Sequence, residues 1–492
     1  MEILLALIPI ISIVLLLFVC NISSQFVGII SLLITVFLAV LFFSETDILH
    51  ISFATIHGVL LSLVIIYVLF FGILLFHLLR EVRFIENISD FVAQTTKDRT
   101  RQVLILAVAF SPLIESVSGF GIGIIVIAPI LVALGINPYK AALIALVSLS
   151  AVPWGAIATG TVIGSNLTDI PLKTIGLGSA ILCVPTFIFF AFIAVYIATG
   201  KEGILKKWLE IVTVSGALAL GVMVSNVWIS VELAGVIGAI FALFAVMIFM
   251  FFAKKGKGRG NALLQNTFIV KMLLPYVVLT FLLMVTRMIP SIENLLMSFG
   301  VITWERYSFR LPIFYSPGFF LLVTCIFTIF YFKLNWASVK NALFTTTKQL
   351  TPVTVTTVTF IALAQIMIEA NMMNILAEGI GTLVGSYFLF ISPIIGAFSG
   401  MITGSNAASN AMFMELQTIT ASKYQLSPSL IASIQNTTAS HMTMASPSRV
   451  LLAATMTGNE KYEQKLFKTM FFIVFVAIIF IMLMALLWNS VY

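Results

Sequence analysis

Charged residues are scarce in this 492-residue chain: Asp, Glu, Lys and Arg make up only 9% of it, against about 25% in soluble globular proteins. The hydrophobic fraction is 61%, so a soluble fold of this size could not hide its apolar surface from water. Cys20, Cys183 and Cys325 lie far apart in apolar runs and form no metal or redox spacing. These scarcities exclude a soluble enzyme, a metal centre and a nucleic-acid partner.

Several catalytic signatures are also absent. The sequence contains no G-x-x-x-x-G-K-[ST], no H-E-x-x-H and no G-x-S-x-G motif. The glycine-rich run Gly119–Gly123 is not a dinucleotide fingerprint, because no strand precedes it and no βαβ unit follows. The chain is therefore expected to be no enzyme and to need no cofactor.

Long apolar runs recur from end to end, and about 20 apolar residues suffice for one helical crossing of a bilayer. The predicted fold is an all-α polytopic protein of the plasma membrane with about twelve crossings. The first run lacks a basic start and a small-residue cleavage site, so we expect a retained helix and no signal peptide. The predicted crossings are 3–20, 26–43, 58–79, 139–162, 174–198, 208–224, 230–252, 268–289, 315–332, 346–370, 428–456 and 469–490.

Basic residues cluster between these runs, and the positive-inside rule places such clusters in the cytoplasm. The intervening loops are short and neutral or acidic, as in Ser44–Asp47. With all clusters inside, both termini are predicted to be external. The five clusters are Arg80, Arg83, Lys97, Arg99 and Arg101; Lys201, Lys206 and Lys207; Lys254, Lys255, Lys257 and Arg259; Lys333, Lys340 and Lys348; and Lys461, Lys465 and Lys468.

Two further apolar stretches, 102–135 and 387–415, are too long for one helix and have Gly and Ser at their middle. We predict two re-entrant hairpins, because this keeps every basic cluster on one side. The hairpins resemble each other: Pro112 through Gly123 aligns without gaps with Pro393 through Gly404, matching at the proline, the Ser-Gly pair and the final glycine.

Each hairpin is followed by an apolar helix with a polar or helix-breaking middle, at 139–162 and at 428–456. An odd number of crossings separates the copies, so the repeats are inverted. Inverted repeats with interrupted helices are typical of secondary transporters, because broken backbone in a membrane must line a cavity or be buried in protein. The predicted units are 1–57, N-terminal helices; 58–200, first repeat; 201–314, linking helices; and 315–492, second repeat.

Polar side chains at the hairpin tips and helix breaks are the candidate site. The candidate substrate-binding residues are Ser116, Ser118, Gly119, Gly121, Thr403, Gly404, Ser405, Asn406, Ser409, Asn410, Gln435, Asn436, Thr437, Thr438, His441 and Arg449. The candidate helix-breaking residues are Pro153, Trp154, Gly155 and Pro447.

Three ionisable residues stand out among them. Glu115 lies beside the first tip between apolar flanks, where a carboxylate is unfavourable and is typical of a functional site. It is predicted to couple protons, although it could also cap the tip. Arg449 could form a bidentate pair with a substrate carboxylate or be a cytoplasmic basic residue, and His441 could bind substrate or hydrogen-bond within the helix.

These segments resemble the bacterial L-lactate permease family. The resemblance rests on Leu113–Gly121, on Thr403–Phe413, and on Gln435–Thr438 with Ser446-Pro447, in the same order over most of the chain. At Ala439-Ser440 and Ser448-Arg449 the chain departs from the glycines and the glutamine that members have there. These positions fall at the predicted site, where we expect the choice of acid to be decided.

The resemblance implies a proton symporter of lactate, glycolate or a related 2-hydroxy monocarboxylate. It also implies a scaffold domain and a moving transport domain, as in elevator-type carriers that often form homodimers. Alternatives stay open at this point: Na⁺ coupling, a dicarboxylate or sugar-acid carrier, a channel, and, from another class, a membrane-embedded enzyme that uses Glu115 and His441.

Overall fold

A computed structural model describes residues 2–20, 22–43, 47–254, 267–307 and 309–491. The first part of the chain forms α1 (Glu2–Phe18), α2 (Ser24–Phe42), α3 (Ile48–Glu81), α4 (Phe84–Thr95), α5 (Arg99–Val103), a π-helix (Leu104–Phe110), α6 (Ser111–Ser118), α7 (Ile122–Ala133), α8 (Pro138–Val147), a 3₁₀ turn (Val152–Trp154) and α9 (Gly155–Thr168). The middle forms α10 (Leu172–Val224), a π-helix (Ser225–Ile229), α11 (Ala234–Lys254), α12 (Thr267–Met288), α13 (Pro290–Ser298), β1 (Val301–Trp304), β2 (Phe309–Pro312) and α14 (Pro317–Tyr331). The last part forms α15 (Trp336–Glu369), α16 (Met372–Val384), α17 (Phe388–Thr403), α18 (Asn406–Lys423), α19 (Pro428–Met442), α20 (Pro447–Met456) and α21 (Glu463–Val491).

Within the described residues, nine helices are long and apolar enough to cross a membrane, or up to ten if the bent pair of α8 and α9 is one span. The prediction of a multi-pass helical membrane protein is confirmed. The twelve crossings stay a prediction: α1 and α14 are shorter than a full span, and 428–456 is divided into α19 and α20.

The predicted crossings 174–198 and 208–224 lie in one 58-residue helical run, Leu172–Ile229. At 1.5 Å per residue this run would be roughly three times the thickness of a bilayer core if it were straight. Gly200 divides it, since its φ of +70° and ψ of −164° lie outside the helical region. The glycine precedes Lys201, where the sequence predicted a cytoplasmic turn.

Both predicted hairpin stretches are interrupted near their middle. The first runs from α5 through α6, turns at Gly119–Gly121 and returns as α7; the second consists of α17 and α18, joined at Gly404-Ser405. The interruptions at 148–154 and 443–446 also lie where the sequence predicted them. The same element order, including a 34-residue helix (α3 or α15) and a short helix (α4 or α16), precedes each hairpin. The inverted relation and the unit boundaries stay predictions.

One element departs from the all-α prediction. The strands β1 and β2 pair antiparallel, with Val301 opposite Pro312 and Trp304 opposite Phe309. Val, Ile, Thr, Trp and Phe, which occur in β1 and β2, favour strands. The sequence analysis treated this segment as a loop because its charges are mixed. The Arg287 guanidinium lies over the Tyr315 ring (3.6 Å to its centroid) and pairs with Glu232 (3.3 Å). Through these contacts Arg287, near the end of α12, binds both Tyr315, which follows the strands, and Glu232, which precedes α11.

Two of the predicted basic clusters meet at the base of the first hairpin. Arg101 donates two hydrogen bonds of 2.8 Å to the carboxylate of Glu210, and Lys207 lies 2.7 Å from the same carboxylate and 3.6 Å from Asp98. Both clusters therefore lie on one side of the molecule. Glu45, Lys255, Lys257 and Arg259 lie outside the described residues, and the orientation of the termini stays a prediction.

The two 34-residue helices approach each other closely at Gly58, which has no side chain to separate them. A Cβ added there would lie 2.6 Å from Cα and 2.8 Å from the backbone nitrogen of Ala362. Gly58→Ala is therefore expected to destabilise the protein by about 1–3 kcal/mol, because two helix backbones must move apart. Gly216→Ala is the matched control, since a Cβ at Gly216 meets nothing within 4 Å. Thermal unfolding of both variants in detergent tests this; equal stability would contradict the close packing.

Candidate functional site

The two hairpin tips, the interruption between α8 and α9, and the first turn of α20 meet around one cavity of about 30 Å³. This volume has room for about one water molecule, so a larger occupant must enlarge it. The lining comes from both halves of the chain: Glu115, Gly119, Phe120, Val152, Gly155, Ala156, Thr159, Gly160, Ser405, Asn406, Ala407 and Arg449. Segments almost 300 residues apart in sequence therefore form one polar site inside an apolar molecule.

The interruption between α8 and α9 brings backbone to the wall of this cavity. After the 3₁₀ turn that contains Pro153 and Trp154, Ala156, Ile157 and Ala158 all have positive φ angles, of 41°, 55° and 59°. Such a left-handed turn is unfavourable for residues with a Cβ and is typical of functional sites. Its neighbour Gly155 packs on Glu115, since an added Cβ would lie 3.7 Å from the Glu115 carbonyl oxygen.

Glu115 is almost fully buried, with 1% of its surface exposed. Its two carboxylate oxygens accept hydrogen bonds from the backbone N–H groups of Gly121 (3.0 Å) and Gly123 (3.2 Å). The carboxylate therefore caps the N-terminus of α7, where free N–H groups and the helix dipole favour a negative charge. This is the capping role that the sequence left open beside proton coupling, and one side chain could perform both.

Arg449 lies opposite Glu115, with its Nη1 atom 3.8 Å from Oε1 of the carboxylate. The pair joins the first hairpin to α20. Arg449 is buried, yet its Nη1 has no hydrogen-bond partner. A buried guanidinium with a free donor can bind a planar anion such as a carboxylate. Ser446, whose Oγ accepts from the Arg449 N–H (3.4 Å), caps the first turn of α20, and Pro447 occupies its first position.

A network of side-chain amides supports the opposite wall. Oδ1 of Asn436 accepts hydrogen bonds from Nδ2 of Asn406 (2.9 Å) and of Asn410 (2.8 Å). Nδ2 of Asn436 donates to the hydroxyls of Thr161 (3.1 Å) and Ser179 (2.8 Å). Asn436 thus links α18, α9 and α10 from a fully buried position.

Other predicted site residues are buried beside the cavity but do not line it. Thr403 bonds to Ser409 (2.7 Å), and Gln435 pairs with Gln417 and with Ser399. The hydroxyls of Thr437 and Thr438 bond to carbonyls of their own helix, of Ser433 and Ile434. A Cβ added at Gly404 would lie 2.7 Å from Oγ of Ser448, so this tip packs on the start of α20.

Three more predicted residues, Ser116, Ser118 and His441, are not part of the cavity wall. Nε2 of His441 lies 2.8 Å from the Thr186 hydroxyl of α10, and the ring packs edge-on against Phe190. Ser116 donates to the Pro112 carbonyl of its own helix (2.6 Å), and the Ser118 hydroxyl is buried without a partner. The structure therefore does not bring His441 together with Glu115 and Arg449.

The sequence did not single out several residues that the structure places at the site, including Phe120, Thr159, Gly160, Thr161, Ser179 and Gln417. Hydroxyl residues are common in membrane helices, so Thr161 and Ser179 carry no local signal. Gln417 in an apolar stretch is the exception, because a buried amide needs a partner. Within the described part of the chain, no group of three or more His, Cys, Asp or Glu residues could hold a metal ion.

A larger cavity of about 410 Å³ adjoins the site and shares Phe120, Ser405 and Arg449 with it. Its other walls include the N-cap and first turn of α2, at Ser23–Gln25, and part of α15, including Gln349. In the predicted orientation this vestibule is on the cytoplasmic side. Phe120, Ser405 and Arg449 therefore border both the site and this vestibule.

Comparison with known proteins gives a consistent result. The sequence profile of a family described as L-lactate permease matches residues 2–491. A relative from Streptococcus iniae named L-lactate permease is 27% identical over 447 residues, covering 87% of this chain and 92% of the relative. L-lactate permeases of Bacillus subtilis (24% identical; 77% of each chain) and Escherichia coli K12 (23% identical; 77% of this chain and 76% of the relative) are also similar.

Proposed function

Because this chain belongs to the L-lactate permease family, a family of membrane transporters and not of enzymes, we propose that it carries lactate or glycolate across the plasma membrane by proton symport. The observation that supports this most is the free donor of the buried Arg449 in a cavity between the two hairpin tips. Family membership removes the membrane-embedded enzyme from the alternatives.

The substrate carboxylate would bind Arg449, with the N-terminal turn of α18 beside it at Ser405 and Asn406. Charge-assisted hydrogen bonds to a guanidinium and unpaired N–H groups at a helix start both favour an anion. Phe120, Val152, Ala156 and Ala407 offer apolar surface for a small carbon chain. Arg449 is the only basic residue of this lining, which favours a monocarboxylate over a dicarboxylate.

Charge balance supports the coupling to protons. Before substrate binds, Glu115 and Arg449 make the site formally neutral. A bound lactate would add one uncompensated negative charge to a buried site, and desolvating an unpaired ion is unfavourable by several kcal/mol. One proton on Glu115 would restore neutrality, so anion and proton would bind together in a ratio of one to one. One Na⁺ ion bound with lactate would satisfy the same charge balance. Uptake driven by a proton gradient or by a sodium gradient distinguishes the two coupling ions.

Transport further requires that the site be exposed alternately on each side. We propose that the hairpins with α8–α9 and α19–α20 move as a transport domain against a scaffold containing α3 and α15, as in elevator-type carriers, within a homodimer. The vestibule beside Phe120 supports access from the predicted cytoplasmic side.

The proposal predicts electroneutral uptake by purified protein in liposomes. An outside-acidic gradient of one pH unit should accumulate labelled L-lactate about tenfold, because that gradient is worth about 1.4 kcal/mol. An imposed membrane potential alone should drive no accumulation. Accumulation that requires a sodium gradient would show that Na⁺, and not H⁺, is the coupling ion. Passive flux without accumulation would indicate a channel. Unlabelled glycolate should compete, and stronger competition by malate or gluconate would favour the dicarboxylate or sugar-acid alternative.

A further inference from the structure

The amide of Asn406 is held in one orientation by hydrogen bonds that begin at a backbone carbonyl. A carbonyl oxygen only accepts, so the 2.9 Å bond from Asn410 to the Gly160 oxygen identifies the amino group of Asn410. That amino group also lies 2.8 Å from Asn436, which must therefore present its Oδ1 there. Asn436 directs its own amino group to the Ser179 hydroxyl (2.8 Å). The orientation of the Asn410 amide therefore fixes the orientation of the Asn436 amide.

The last amide of this chain of bonds borders the cavity. Nδ2 of Asn406 donates one of its two hydrogens to Oδ1 of Asn436 (2.9 Å), which fixes the other polar atom of the amide as Oδ1. This oxygen is buried and has no hydrogen-bond partner, and Asn406 lines the cavity together with Arg449. Oδ1 of Asn410 also has no partner, but Asn410 is not part of the cavity wall. The cavity wall therefore carries the cationic donor of Arg449 and, on Asn406, a neutral amide whose oxygen has no partner.

We propose that Oδ1 of Asn406 accepts a hydrogen bond from the hydroxyl group on the carbon next to the substrate carboxylate, and that Asn436 is the residue that positions it. The proposal rests on the carboxylate transport proposed above. A 2-hydroxy acid places a donor beside its carboxylate and satisfies the acceptor. Propionate lacks that donor, and pyruvate would bring a second acceptor against Oδ1, so both leave a buried oxygen without a partner.

The roles of the two asparagines differ, although the sequence assigned both to substrate binding. Asn436 already makes four hydrogen bonds, to Asn406, Asn410, Thr161 and Ser179, and could contact substrate only by giving one up. Its effect on the substrate would act through Asn406. A change at Asn436 should therefore alter selectivity and not only stability.

Competition against labelled lactate, measured with the purified full-length protein, tests this. In the unaltered protein, unlabelled lactate should compete about ten- to a hundredfold better than propionate or pyruvate, since a site with a buried polar group rejects analogues that cannot pair with it. Asn406→Leu should bind lactate and propionate equally. Asn436→Ala should lower the preference for lactate about tenfold, although this variant still contains Asn406. Asn226→Leu is the matched control: Asn226 is buried, its Oδ1 also has no partner, and it lies outside the cavity wall, so the preference should be unchanged.

Each outcome decides a separate point. Pyruvate competing as well as lactate in the unaltered protein would overturn the proposal and needs no variant to fold. A folded Asn406→Leu that keeps the preference for lactate over propionate would also overturn it. An unchanged preference in Asn436→Ala would make Asn436 merely structural and would refute its positioning role. No binding of lactate at all would refute the proposed function itself, whereas lactate bound without preference would refute only the hydroxyl contact.

Discussion

Arg449→Gln is expected to reduce lactate uptake at least about a hundredfold, the largest effect of any single change in the cavity. Hydrogen bonds to a charged group contribute roughly 1.5–3 kcal/mol each, and a guanidinium can make two to one carboxylate. Glutamine keeps a donor but neither the charge nor the fork. The variant also leaves Glu115 buried without the cation 3.8 Å away, which is expected to lower stability by about 3–5 kcal/mol.

Loss of folding must be separated from loss of binding in this experiment. The double variant Glu115→Gln with Arg449→Gln removes both charges, so it should regain stability in thermal unfolding but not lactate binding. Arg287→Gln is a matched control, because Arg287 is equally buried and paired with Glu232 but lies outside the cavity. It should lose stability and keep its affinity for lactate. A folded Arg449→Gln with unaltered affinity would exclude Arg449 from the substrate site.

Glu115→Gln is expected to abolish accumulation driven by a pH gradient while leaving lactate counterflow. The glutamine cannot take up the proton that would balance the bound anion, so the roughly tenfold accumulation per pH unit should disappear. Exchange of lactate for lactate needs no net proton movement and should continue. Some stability should be lost, because the amide can accept only one of the two N–H groups that the carboxylate caps, from Gly121 and Gly123.

The control for this variant is Glu210→Gln. Glu210 is a buried, ion-paired glutamate that binds Arg101 at the base of the first hairpin, away from the cavity. Its substitution should lower stability but keep uptake dependent on the pH gradient. Uptake by Glu115→Gln with an unchanged dependence on pH would remove Glu115 from the coupling step and leave it with capping alone.

Much of the fold could be predicted because the signals for it are local. Apolar runs of bilayer length mark helices wherever they occur. The glycines at the tips take backbone conformations that other residues avoid: φ is +66° at Gly119, +80° at Gly121 and +62° at Gly404. Local signals failed where a polar segment interrupted the pattern, as at β1 and β2.

The sequence predicted which segments form the candidate site. It did not predict the roles of the individual side chains in those segments. Glu115, Asn406 and Arg449 do line one cavity. His441 belongs to the same polar run, yet it faces Thr186 across a separation of 255 residues. Helical neighbours of similar polarity point in different directions, and the packing of a distant helix decides which of them reaches the cavity.

By itself, the sequence determined that this protein is a helical, multi-pass member of a permease family, because hydrophobicity and motif order are properties of the chain that need no contacts. Only the tertiary structure decided that Glu115 caps α7 opposite Arg449, that Asn436 is saturated, and that Asn406 keeps a free acceptor. These features depend on which donor meets which acceptor across helices far apart in sequence. Buried polar atoms must find partners within the protein, and that pairing is set by packing.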